Sequence, residues 1–235
     1  MISLSRIGVV PVAAMLFAAA ARAEDPKLAP GRDPGGAAVA VLADGFDYTR
    51  AEVARVLARD GEGEAIAWDA VDGDHRPFAG DGGGTANLLA AVGSGGVRIV
   101  AVRVATGDPA SLAKGVAFVA STPARVVLVA LPDQDRRGLE VMAAAAKRFE
   151  AMLFVASLPG PAAHEAATGD AIANLVLLDS KERPYAAAEA VAQALGCERG
   201  DLAGPSGSDL ERAFLERLSQ KPPAACEPKD GAGSN

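Results

Sequence analysis

The chain has 235 residues, 50% hydrophobic and 23% charged, which suffices for one α/β domain with a sizeable buried core and falls short of two large ones. A formal charge of −7 has the wrong sign for gripping phosphates, so nucleic acid is excluded as an expected partner.

Residues 1–23 read as a secretory signal: Arg6 precedes an apolar run from Ile7 to Ala21, and Ala21-Arg22-Ala23 is a small-residue cleavage pattern. The run covers 15 residues and includes Gly8 and Pro11, whereas a spanning helix needs about 20. Cleavage would leave Glu24 as the mature N-terminus and, by removing two arginines, take the charge from −7 to −9. The expected location is the periplasm or the outside of the cell, with no membrane contact after signal removal. In that oxidising setting Cys197 and Cys226 can pair and pin the C-terminal segment to the body. Two free thiols are the alternative, because spacing does not say whether the Cα atoms come within about 7 Å.

Residues 24–36 are rich in Pro, Gly and charge and are expected to form a linker, with order beginning near Ala37. Residues 37–195 follow as the domain. Short apolar runs predict strands near Ala37 to Leu42, Glu64 to Trp68, Val97 to Val104, Arg125 to Leu131, Met152 to Ala156 and Ala173 to Leu178. Helices start between them: Thr49 with Glu52 three residues on, Asp108 before Pro109, and Asp133 or Asp135 before Arg136 to Phe149. Residues 196–235 form a C-terminal segment with one helix, opened by Ser208 and Glu211, and a disordered tail. Strands apolar on both faces and separated by helices mean a mostly parallel sheet of about six strands, covered on each side as three α/β/α layers. Sites in such sheets form where strand ends meet helix starts: after Leu42, around Gly82 to Thr85, and before Ala186.

Residue chemistry at those junctions is sparse. Gly82, Gly83 and Gly84 before a helix could offer backbone N–H groups to an anion, but no Lys-Ser/Thr follows, and there is no dinucleotide fingerprint. The acids Asp60, Glu62, Glu64, Asp69, Asp72, Asp74 and Asp81 could supply oxygens to Ca²⁺, but their spacing matches no EF-hand and suits solvated loops. With no CxxC pair either, neither metal nor cofactor is expected. His75 and His164 read as surface residues, and Ser157 and Ser180 sit in no Gly-x-Ser-x-Gly elbow.

The segment Val39-Ala40-Val41-Leu42-Ala43-Asp44-Gly45-Phe46-Asp47-Tyr48-Thr49 resembles the first signature of the subtilisin-like serine proteases, a buried strand running into Asp-Thr-Gly and Asp-Tyr-Thr-His. Ala43 then stands at the catalytic Asp position. Trp68 to Asp74, followed by Asp81-Gly82-Gly83-Gly84-Thr85-Ala86, resembles the family's acidic loop leading to His-Gly-Thr-His at a helix start, with Ala86 at the catalytic His. Val97 to Val104 resembles the next strand, and Arg125 to Pro132 the strand lining the substrate cleft, whose end here reads Ala130-Leu131-Pro132. Met152 to Gly160 resembles the strand delivering the oxyanion Asn, with Gly160 or Pro159 at that position. Glu182 to Glu189 resembles the start of the nucleophile helix and puts Pro184 where the Ser sits. Several further strands normally precede that helix, and here only Asp179 to Arg183 intervene.

Serine acyl transfer needs a base within reach of Oγ, an acid holding that base's tautomer, and oxyanion donors. The resemblance implies that Ala43, Ala86, Pro184 and Gly160 fill those roles with inert groups. Asp44 is one residue from the lost acid, but a one-residue step along a strand points to the opposite face; it reads as a turn residue. The expected function is a non-catalytic peptide- or protein-binding module using Ala130, Leu131 and Pro132 by strand addition, which Pro132 would limit. Two alternatives are a hydrolase, such as a serine endopeptidase, with a displaced site, and an accessory protein of an exported assembly using the helix Asp209 to Leu218 as a contact.

Overall fold

The computed structural model describes residues 25–80, 82–93, 96–130, 135–158, 172–179 and 207–219. Residues 1–23, where a secretory signal is expected, and both cysteines lie outside this set.

Six strands form one parallel sheet: β1 (Ala37–Ala43), β2 (Ala67–Asp69), β3 (Val97–Arg103), β4 (Val126–Ala130), β5 (Leu153–Leu158) and β6 (Leu175–Asp179). Their spatial order is β2-β3-β1-β4-β5-β6. All six expected strands are present. The helices are α1 (Ala51–Ala54), α2 (Gly84–Val92), α3 (Pro109–Val119), α4 (Arg136–Arg148) and α5 (Gly207–Ser219).

The strand period of two divides the core into two layers. Val39, Val41, Ile99, Leu128 and Val155 face one cluster with Val53, Leu88, Leu210 and Phe214 of α1, α2 and α5. Ala40, Leu42, Val100, Val127 and Phe154 face the other with Leu112, Val116 and Met142 of α3 and α4. Helices on both faces make three α/β/α layers. Leu210 and Phe214 are buried against the sheet while Leu215 is exposed, so the last helix packs on its own domain through that face.

The crossovers differ in hand. β1→β2 runs over the α1 face, and β3→β4 and β4→β5 run in the opposite sense over the α3/α4 face, so these three share one hand. β2→β3 moves in the same sense as β3→β4 but over the opposite face. Parallel crossovers are right-handed in about 98% of cases, which makes β2→β3 the left-handed one.

Local chemistry explains the helix starts. Asp108 accepts from Ala110 N–H at 2.9 Å with Pro109 in the first turn, and Asp135 accepts from Gly138 N–H at 2.9 Å. The expected Thr49 cap is corrected: α1 begins after Arg50 with no side-chain cap, and Thr49 instead donates its N–H and hydroxyl to Asp47. Asp47 thereby closes a tight turn that competes with the helix start.

Residues 25–36 hold no strand or helix before Gly36, yet they are fastened to the body rather than loose. Asp33 accepts from Arg59 N–H at 2.8 Å, Gly35 N–H at 2.7 Å and Arg98 Nη1 at 3.0 Å. Arg59, 9% exposed, donates to the carbonyls of Ala29, Gly63 and Ala54. Tyr48 donates its hydroxyl to Pro26 O at 2.8 Å. Composition alone hid this, because the partners of Asp33 lie 26 and 65 residues away.

Burial alone would push the Asp33 carboxyl up, but the bonds from Arg59, Gly35 and Arg98 and the Arg98 charge together hold it below its ordinary value of 3.8. Its stabilisation is therefore present above that value and lost as pH falls through the lower folded pKa. Asp33→Ala is expected to cost about 2 kcal/mol at pH 7 in urea unfolding. The gap from the parent should hold down to pH 3.8 and narrow below it as the folded carboxyl takes up its proton; a gap that stayed constant on further acidification would contradict this role.

Candidate functional site

The C-terminal ends of β1, β3 and β4 meet the N-termini of α2, α3 and α4 around a cavity of about 180 Å³. Buried Leu42, Val104, Leu112 and Val129 form its floor, and Asp44, Gly83, Asn87, Thr106, Asp108 and Asp135 border it. Such a site is expected at strand ends in an open parallel sheet.

Close backbone approach sets the wall between β1 and α2. Gly45 adopts φ 137°, and a Cβ at Gly84 would stand 2.4 Å from Gly45 O and 2.7 Å from the Ala43 Cβ. A Cβ at Gly82 would stand 2.6 Å from Gly45 O. Glycine is required here by space. Asp44 Oδ1 accepts from Gly84 N–H at 3.1 Å, and buried Thr85 accepts from Asp47 N–H at 2.8 Å through Oγ1. The glycine run thus serves packing, and its Gly84 donor is already engaged by a carboxylate rather than offered to an anion.

Below this wall lies a charged cluster. Asp69 is fully buried; it accepts from Val71 N–H at 2.7 Å, Asp72 N–H at 2.9 Å and Arg103 Nη1 at 2.8 Å. Arg103 also reaches Asp72 at 2.8 Å and the Asp44 carbonyl at 3.2 Å. Burial works against the Arg103 charge, but Asp69 and Asp72 outweigh it and raise its pKa. Carboxylate oxygens of Asp25, Asp69 and Asp72 lie within 4.8 Å of one another, and the Arg103 guanidinium already supplies the cation to Asp69 and Asp72. Of the other acids considered for Ca²⁺, Asp60 accepts from Glu62 and Glu64 N–H and Asp74 from Arg76 N–H, so both shape their loops, and Asp81 lies outside the described residues.

Among the sequence-predicted positions, Ala43 lines the cavity and Ala130 stands on its rim at the exposed end of β4. Ala86 is in the first turn of α2 but does not line it; Gly83 and Asn87, one turn apart, do. Leu131, Pro132, Gly160, Pro184, Cys197 and Cys226 lie outside the described residues, as do His164 and Ser180. β4 pairs with β1 through Val126–Val129 and with β5 through Val126–Ala130. Strand addition along β4 is thereby closed up to Ala130. Ser157 is 2% exposed within β5. His75 is exposed and approaches the Ala67 carbonyl through Nδ1 at 3.0 Å, with its ring against Trp68 at 5.0 Å. It does not line the cavity.

Sequence reading missed Asn87 and Thr106, and took Asp108 and Asp135 only as helix caps. In a parallel sheet every helix that follows a strand starts at the same edge, which would have placed both caps beside Ala43.

No family model and no curated protein matches the sequence. A structural comparison finds similarity to the crystal structure of a cold-adapted subtilisin-like serine proteinase, at 18% identity and a TM-score of 0.38. The match covers 57% of this chain and 50% of that one, so the chain aligns with about half of the proteinase's length. No described helix is long and apolar enough to cross a membrane.

Two substitutions check the site's construction. Gly84→Ala should destabilise by roughly 1–3 kcal/mol, since its Cβ meets backbone rather than a movable side chain, measured by urea unfolding. Asp69→Ala should cost about 3 kcal/mol or more by the same measurement, because it strands part of a buried ion pair. Parent-like stability of either variant would refute the packing or the pairing just described.

Proposed function

We propose that the chain is an exported, catalytically silent relative of the subtilisin-like proteases that docks a side chain of a peptide or protein partner in the cavity at the ends of β1, β3 and β4. The observation that carries this reading is the lining itself. Among the described residues it contains no Ser, Cys, His or Lys, so neither the nucleophile nor the imidazole base of a serine protease stands there. Acyl transfer by that family's chemistry requires both within hydrogen-bond reach of each other.

The motif resemblance supports the same reading, with Ala43, Ala86 and Pro184 at the triad positions and Gly160 at the oxyanion position. A serine protease stripped of its triad keeps roughly 10³ to 10⁴ over water, from the oxyanion hole and binding alone; without the oxyanion amide less remains. The size of the cavity, about 180 Å³, is below the roughly 300–1,000 Å³ of small-molecule sites and suits one inserted side chain. With β4 paired on both sides, the partner is held by that anchor rather than by pairing along β4. The Ala21-Arg22-Ala23 pattern supports export.

Incubating the purified protein with a fluorophosphonate probe should give no covalent adduct by mass spectrometry. Stoichiometric labelling of any serine would replace this reading with that of a hydrolase whose site lies elsewhere.

A further inference from the structure

We infer that the cavity selects a basic side chain, lysine or arginine, of the docked partner; the inference rests on the docking reading and adds the chemistry of the anchor. Three helices, α2, α3 and α4, point their N-termini at the cavity, and each is met by one aspartate on its border: Asp44, Asp108 and Asp135. Each engages its helix through Oδ1, and among the described residues the three Oδ2 atoms accept no hydrogen bond. A carboxylate has about four lone-pair positions, so acceptor capacity remains at every one of the three.

The electrostatic balance stays negative. A helix N-terminus carries roughly half a positive charge, so three of them offset only about half of three carboxylates. No Lys, Arg or His lines the cavity among the described residues. The nearby Arg103 is committed to Asp69 and Asp72 and touches Asp44 only at its carbonyl. An anionic side chain would meet like charge. A purely apolar one would leave the carboxylates facing it without a partner.

The floor supplies the second half of the fit. Leu42, Val104, Leu112 and Val129 are each no more than 6% exposed, whereas Asp44 and Asp108 are exposed. An apolar floor under an acidic rim matches a long aliphatic stem ending in a cation, the shape by which lysine and arginine bury the stem and keep the head among polar groups. Charge complementarity of this kind sets specificity and association rate.

The test titrates the isotope-labelled protein with four blocked tetrapeptides, alanine apart from one central Lys, Arg, Leu or Glu, following the amides of Gly83, Asn87 and Gly107. The Lys and Arg peptides should shift these amides and bind about tenfold more tightly than the Leu peptide, with affinity falling as salt rises. In an Asp108→Asn/Asp135→Asn double variant the caps persist, since Asn caps as well as Asp. The preference for the basic peptides should disappear there while the melting temperature holds. Leu or Glu peptides binding as tightly as Lys would overturn the basic preference and leave docking intact. No shift at these amides with any of the four would overturn both.

Discussion

The structure around the cavity depends on one close approach, the backbone of Gly84 lying against Gly45 and the Ala43 side chain. That contact has no room for a Cβ, so it sets where α2 starts relative to the end of β1. Asp44 then bonds the first turn of α2, Thr85 bonds back to Asp47, and the Arg103 guanidinium holds the Asp44 carbonyl from below. Four short elements are thereby fixed to one another by space and by hydrogen bonds, before any ligand is considered. The Ala43 side chain sits inside this contact, so it takes part in the packing.

The charged groups divide into two sets with different work. Asp33, Arg59, Arg98, Asp69 and Arg103 join segments far apart in the chain, and two of them, Arg59 and Asp69, are buried. Asp44, Asp108 and Asp135 each bond a helix start close at hand in space and remain at the border of the cavity. The first set holds the domain together. The second set gives the open edge of the sheet its sign. An overall charge of −7 conceals this division.

Much of the fold was legible because burial on both faces writes itself into sequence as unbroken runs such as Ala37 to Leu42, and because Asp108-Pro109 and Asp135 mark helix starts by local chemistry. Less was legible where partners are remote. The segment around Asp33 looked loose because its bonds reach Arg59 and Arg98, and Thr49 looked like a cap because Asp47's competing turn leaves no separate sequence mark. The cavity was half legible: Ala43 was placed at its edge, but Asn87 rather than Ala86 faces it, a helical register that motif matching fixes only to within a residue. The paired β4 likewise escaped notice, since strand order is not written in any single strand.

The placement of β1 has a further consequence, for how the chain acquires its shape. Val39, on the first of the described strands, pairs with Ile99 on one side and Val126 on the other. One edge of this central strand therefore stays bare until Val97 is available and the other until Val126. Such non-local pairing slows folding and leaves sticky edges open to other chains in the interval. A nascent copy thus carries an unpaired edge on its central strand until Val126 has been made.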